Sequence, residues 1–132
     1  MRAVGSKVTR GIGVGAKLEC VDNTGAKLLK VASVVNYKGT RQRQPKAGVG
    51  DVVRCSVVKG SPDMREETPL AVIVRQKKDW RRPSGRRVKF NDNAAVLINE
   101  RNEPRGSEVR RAIAKEVVER FPEIGKVARV VV

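Results

Sequence analysis

Residues 76–90 read QKKDWRRPSGRRVKF and hold Lys77, Lys78, Arg81, Arg82, Arg86, Arg87 and Lys89 against one acid, Asp79. The chemistry open to such a set is the binding of anions, phosphate above all, because guanidinium and ammonium groups donate several charge-assisted hydrogen bonds at once. A second set, Lys38, Arg41, Arg43 and Lys46, lies in NYKGTRQRQPKAGVG (36–50), a polar stretch without an acid. A loop of that composition is expected to stay unordered until an anion binds.

Catalysis has less to work with. The chain has no histidine, so it lacks the side chain that ordinarily serves as a base near neutrality. Glu66, Glu67, Asp79 and Asp92 stand in no cluster with a nucleophile. Glu116 and Glu119 share a helical stretch with Lys115 and Arg120 and read as a solvated face. Cys20 and Cys55 fall in apolar-alternating segments and read as buried, reduced thiols. Without His or a CxxC spacing, neither a structural zinc site nor any other metal or cofactor is expected. GIGVGAK (11–17) has the spacing G-x-G-x-G and precedes a strand, whereas nucleotide-binding glycine loops follow a strand and open a helix. It reads as a flexible turn.

The 29 Lys and Arg outnumber the 14 acids to give a net charge of +15. That is well above the roughly 2 to 8 that keeps a small domain soluble, and it points to a polyanionic partner. Residues 1–60 contribute +9 and residues 61–132 contribute +6. The only rings are Tyr37, Trp80, Phe90 and Phe121, too few to stack a run of single-stranded bases. A nucleic-acid partner would therefore be held by its phosphates and its folded shape.

The elements that must position these cations are mostly strands. KLECV (17–21), AKLLKVASVV (26–35), DVVRCSVVK (51–59), LAVIVRQ (70–76), RVKF (87–90) and AAVLIN (94–99) alternate or run apolar. Turn chemistry separates them, DNTG (22–25) most clearly. The imperfect alternation of 26–35 predicts a bulge. GSPDMREETP (60–69) reads as a turn and loop. Short strands with few helices predict a small closed antiparallel barrel. AIAKEVVERF (112–121) places Ile113, Val117 and Phe121 on one helical face, and Pro122 should stop that helix. KVARVVV (126–132) reads as a terminal strand or extended tail. The 132 residues make one domain: an irregular N-terminal arm (1–15), a barrel with a ribbon (16–99) and a C-terminal helical region (100–132). No apolar run is long enough to span a bilayer, and no secretory leader is visible at the N-terminus, so a cytoplasmic location is expected.

The basic ribbon allows two registers around RPSG (82–85). A two-residue loop sets Arg81 opposite Arg86 and Trp80 opposite Arg87. A three-residue loop with Gly85 left-handed sets Arg82 opposite Arg86 and Arg81 opposite Arg87, and lets Trp80 pack on Val88. Either way arginines face each other, at about 0.2 to 1 kcal/mol per pair. An external polyanion would reverse the sign of that cost. Replacing Arg81, Arg82, Arg86 and Arg87 with Gln is thus expected to weaken anion binding while leaving the domain as stable or slightly more so.

From Ala71 to Leu97 the chain resembles the ribosomal protein L-fourteen family. The pattern is carried by Ala71, Val72-Ile73-Val74, Ser84-Gly85, Phe90, Asn93 and Val96-Leu97. It is supported by CVDNTGAK (20–27), AGVGDVV (47–53), VVRCSVVKGSP (52–62), EPRGSEV (103–109) and IAKEV (113–117). Arg111-Ala112 replaces the family's usual Gly-Pro before the helix. The first segment and the 36–50 loop resemble the archaeal and eukaryotic branch, and point to an archaeal source.

The resemblance implies a five-stranded β-barrel, a projecting β-ribbon and short C-terminal helices in a non-catalytic constituent of the large ribosomal subunit. It implies binding to large-subunit rRNA and a place in the bridges to small-subunit rRNA. The implied neighbours are ribosomal proteins L-three and L-twenty-four-e, with the anti-association initiation factor six docking nearby. The two cationic sets above are the expected phosphate ligands, and Arg101 and Arg105 the candidates for a bridge or a protein neighbour. A free-standing RNA-binding module is the alternative, separable because a ribosomal protein stays on the large subunit through a high-salt wash.

Overall fold

The computed structural model describes residues 3–39 and 41–132; residues 1 and 2 of the expected arm and residue 40 of the expected loop lie outside it. The strands are β1 (Ile12–Gly13), β2 (Lys17–Cys20), β3 (Ala26–Val34), β4 (Lys46–Ala47), β5 (Val52–Gly60), β6 (Leu70–Arg75), β7 (Trp80–Arg81), β8 (Arg87–Val88) and β9 (Ala94–Ile98). The helices are α1 (Pro62–Arg65), α2 (Lys115–Arg120) and α3 (Pro122–Val127). Strands β2, β3, β5, β6 and β9 close a barrel in that order.

Four of the five pairings are antiparallel, but the seam between β2 and β9 is parallel, with Glu19 beside Ala94 and Cys20 beside Ala95. Closure matters for β6 and β9, whose apolar runs would otherwise leave unpaired edges. Every residue of β9 is buried, as are Ala71 to Val74 of β6. The expected irregularity in β3 is present as register shifts between Ala26 and Leu29 and between Val31 and Ser33. Val53, Cys55 and Val57 point into the core from β5. The DNTG turn forms because the Asp22 carboxylate accepts from the Thr24 amide and hydroxyl, and Gly25 takes φ +100°. The second Asp22 oxygen accepts from the Leu97 amide and fastens the turn to β9.

Three local expectations change. The stretch at 60–69 contains the one-turn helix α1, with Pro62 at its first position, where a missing N–H costs nothing. The expected 112–121 helix starts later, at Lys115. Ile113, Val117 and Phe121 are nonetheless all buried. Pro122 ends α2 as expected but also begins α3, which takes up Lys126 and Val127 of the expected tail. The rest of the tail pairs in parallel through Val131 with Ile113.

The first segment does not stand apart as an arm. Its β1 pairs with β4, Lys7 bridges Arg81, and Ile12 is buried. The Gly15 turn at φ +88° leads it into β2. Among the described residues no helix is long and apolar enough to cross a membrane.

Candidate nucleic-acid interface

The ribbon takes the three-residue register. Trp80 faces Val88 and Arg81 faces Arg87. The Arg82 amide donates to the Arg86 carbonyl at 2.8 Å and the Gly85 amide to the Arg82 carbonyl at 2.9 Å. Gly85 sits at φ +88°, a left-handed conformation that a side chain would strain. Its place in the sequence, two residues after Pro83, is what selects this register over the two-residue alternative.

Two anchors hold the base of the ribbon. The Gln76 side chain is buried; its Oε1 accepts from the Val49 amide at 2.8 Å, and its Nε2 donates to the carbonyls of Thr9 and Lys78 at 2.8 and 2.7 Å. Asn93 adds a bond from the Lys77 amide to its Oδ1. The second anchor is Glu116. Its carboxylate accepts from Arg82 Nε at 2.9 Å, Arg82 Nη2 at 3.3 Å, Trp80 Nε1 at 3.3 Å and Ser6 Oγ at 3.3 Å. The solvated face expected for Glu116 is therefore wrong, because the ribbon folds back over that face of α2 and buries it completely; Glu119, one turn on, is exposed. Burial pushes the Glu116 carboxyl up, but the bonds from Arg82, from its own backbone amide and from Trp80 outweigh this and hold it below the ordinary glutamate value.

Trp80 is fully buried, stacked on Phe90 with ring centroids 6.1 Å apart. The Arg82 guanidinium lies 5.9 Å from the Trp80 ring, and Arg75 lies 4.9 Å from that of Phe90. The tryptophan is thus core, with no face free for a base.

These anchors sort the cations. Arg82 turns inward to Glu116 and also donates to the Val132 carbonyl at 2.7 Å. Arg87 pairs with Asp79 at 2.7 Å but stays exposed. Lys77, Lys78, Arg81, Arg86 and Lys89 are exposed and make no ion pair among the described residues. The expected harmlessness of the fourfold Gln substitution is revised, since it includes Arg82 and would strand a buried carboxylate.

One cation that sequence reasoning missed is Lys7. Its isolated bridge to Arg81, together with the pairing of Arg81 with Arg87, makes a row of three basic residues across β8, β7 and the first segment. Nothing in the sequence signals that the first segment bridges the ribbon.

Of the loop residues, Lys38, Arg41, Arg43 and Lys46 are all exposed, and Lys46 lies in β4. The loop's last residues belong to the body, with Ala47 and Val49 buried. The loop and ribbon sets are joined through the first segment, since β1 pairs with Lys46 and Ala47 and the Thr9 carbonyl binds Gln76. Beyond β9, Arg101 is exposed and makes no ion pair among the described residues, whereas Arg105 pairs with Glu67 at 2.8 Å. Arg111, standing where the family pattern has Gly, pairs with Glu19 and Asp92.

Comparison with known proteins agrees with this geometry. The family model for ribosomal protein L14p/L23e matches residues 11–132. The chain is 49% identical to the large ribosomal subunit protein uL14 of Methanoregula boonei, 52% to that of Halorubrum lacusprofundi and 51% to that of Haloarcula marismortui, in each case over all 132 residues and the full length of both proteins. With a family model covering all but its first ten residues and these full-length archaeal relatives, the chain belongs to the ribosomal protein L14p/L23e family.

Proposed function

We propose that this protein is a structural constituent of the large ribosomal subunit in the cytoplasm, and that it clamps folded rRNA by phosphate contacts from a rigid barrel. The observation that carries the clamp is the row Lys7, Arg81 and Arg87, set side by side by an isolated bridge and the β7–β8 pairing. Paired backbones lie about 4.8 Å apart, so the row, offset only in part by the Asp79 carboxylate on Arg87, repels itself until a polyanion covers it. Buried anchors at Gln76 and Glu116 fix the row, so little ordering entropy is lost on binding. Lys77, Lys78, Arg86 and Lys89 extend the positive surface, and Lys38, Arg41, Arg43 and Lys46 supply the second contact. Arg82 serves as an internal tie.

The same reading takes Arg101 as the leading bridge residue toward small-subunit rRNA, with Arg105 held back by Glu67. Neighbours of the L-three and L-twenty-four-e types, and a docking site for initiation factor six, complete it. The test replaces Lys77, Lys78, Arg81, Arg86 and Lys89 with Gln and follows binding to large-subunit rRNA against salt. The slope of log affinity against log salt should fall by about 0.9 for each duplex phosphate that is no longer neutralised. An unchanged slope rules out the ribbon as the clamp. Elution of the wild-type protein from large subunits in a high-salt wash would favour a free-standing RNA-binding module.

A further inference from the structure

A cleft of about 670 Å³ opens at one end of the barrel, between residues 36–39 and 43–46 on one side and the turn after β9 on the other. Its size suits a small ligand, for which pockets run roughly 300 to 1,000 Å³. The apolar lining comes from the ends of β3 and β6, Val34 and Leu70, together with Val35. Val35 is 37% exposed, one of few large apolar side chains left open to solvent. The Tyr37 ring forms part of the lining, its hydroxyl donating to the Gln44 carbonyl at 3.3 Å. Lys38, Arg43 and Lys46 also line the cleft, and none makes an ion pair among the described residues.

Two asparagines complete it. Asn36 and Asn102 both line the cleft and both hold left-handed backbone, at φ 62° and 63°. Neither side-chain amide is bonded to another group among the described residues, so each presents a donor and an acceptor to whatever enters. Glu100 adds a further acceptor.

We propose that this cleft takes a single unpaired nucleotide extruded from folded RNA. Its base lies against Tyr37, Val35 and Leu70, and its edge meets the amides of Asn36 and Asn102. Its flanking phosphates meet Lys38, Arg43 and Lys46. Specific recognition of RNA works in this way, by splaying an unpaired base onto an aromatic ring and bonding its edge. The cleft is cationic and carries one ring, which fits one base and one sugar-phosphate turn better than an apolar peptide. The inference rests on the rRNA reading above and adds a base-specific site to an otherwise phosphate-directed surface.

The test has three arms, each with the full chain. In the first, isotope-labelled protein is titrated with each common nucleoside monophosphate and, separately, with inorganic phosphate at equal ionic strength. The nucleotides should shift the resonances of Val35, Tyr37 and Leu70 and the side-chain amides of Asn36 and Asn102, and phosphate should not. In the second, Tyr37→Ala should bind large-subunit rRNA roughly 5- to 150-fold more weakly with an unchanged salt slope, and Tyr37→Phe should bind like wild type. In the third, a photoreactive side chain at position 37 should cross-link to rRNA in assembled subunits. Identical shifts from phosphate and nucleotides, wild-type binding by Tyr37→Ala, or a cross-link to a protein would each overturn the proposal. If the ribbon variants still lose rRNA affinity in that event, the clamp stands and the cleft alone falls. If the wild-type chain fails to bind rRNA at all, the parent reading falls with it.

Discussion

The Arg82 guanidinium grips the Glu116 carboxylate with two nitrogens, Nε at 2.9 Å and Nη2 at 3.3 Å, across 34 residues of sequence. The carboxylate is fully buried and the Arg82 side chain is 12% exposed. Breaking such a pair from one side leaves a charge without a counterion in a poorly solvated place. Glu116→Gln should therefore destabilise the protein by about 3 kcal/mol, read as a lower urea midpoint at unchanged slope. Arg82→Gln should cost a similar amount, and the double variant much less than the sum. Additive costs would mean that the two residues act independently.

The same pair sets a pH dependence. The folded-state pKa of Glu116 is lowered, so the unfolded chain takes up its proton first as the pH falls. The stabilisation is complete above the ordinary glutamate range and is lost as pH drops through the lowered folded value. The stability gap between wild type and Glu116→Gln should then narrow on acidification below that range. A gap independent of pH would show that the carboxylate charge is not what stabilises the ribbon.

Gln76 holds three backbone groups that have moved out of regular pairing, the Val49 amide and the Thr9 and Lys78 carbonyls. Gln76→Leu keeps the bulk but leaves the buried Val49 amide unpaired, at about 1 to 3 kcal/mol, and gives the partly exposed Thr9 and Lys78 carbonyls over to water. The variant should lose about 1 to 3 kcal/mol by denaturant unfolding. Hydrogen exchange at Val49 should accelerate more than exchange in β9. A loss confined to a few tenths would mean that water replaces the amide.

Arg81 and Arg86 should behave in the opposite way. Both are exposed, neither has an ion pair among the described residues, and Arg81 faces Arg87. Replacing both with Gln relieves repulsion, so stability should hold or rise by a few tenths of a kcal/mol at low salt, and the gain should fade as salt screens the charges. Binding to large-subunit rRNA should weaken in the same variant. A destabilised double variant would show that these arginines hold the fold together.

Both thiols should be inert. Burial pushes Cys55 up to about 12; Cys20 also reaches about 12, through burial first and then the nearby Asp22 carboxylate. Only thiolates react readily, so a thiol reagent at mildly alkaline pH should label neither residue in the native protein and both in denaturant. Rapid native labelling of Cys20 would place it in solvent.

Much of the fold was legible because its causes are local. Alternation along β5, the Asp-Asn-Thr-Gly turn and the Pro83–Gly85 loop each act over a few residues, so the barrel strands follow from the residues themselves and the ribbon is narrowed to two registers, between which only the structure decides. The basic character of the ribbon was equally plain. The division of its seven cations was not, because it depends on what covers them. Helical periodicity puts Glu116 on the charged side of α2, and only the return of the ribbon turns that side into interior. Gln76 reads as the polar end of the 70–76 strand until the first segment and the 47–49 stretch converge on it. Lys7 joins the row through a backbone bridge, which leaves no mark on side-chain pattern. Each miss involves partners far apart in the chain.

The parallel seam between β2 and β9 also dictates when the barrel can exist. Strand β2 ends at Cys20, and its seam partners are Ala94 and Ala95. A nascent chain that has emerged only as far as Phe90 carries β2, β3, β5 and β6 but no β9 to close them. Two sheet edges then wait for one late strand, and that strand is apolar along its whole length. Closure by so distant a pairing is slow relative to local contacts. The α2 segment, whose Glu116 binds Trp80 and Arg82, arrives later still. The cationic ribbon therefore emerges before the carboxylate that locks it has left the machine that synthesises the chain.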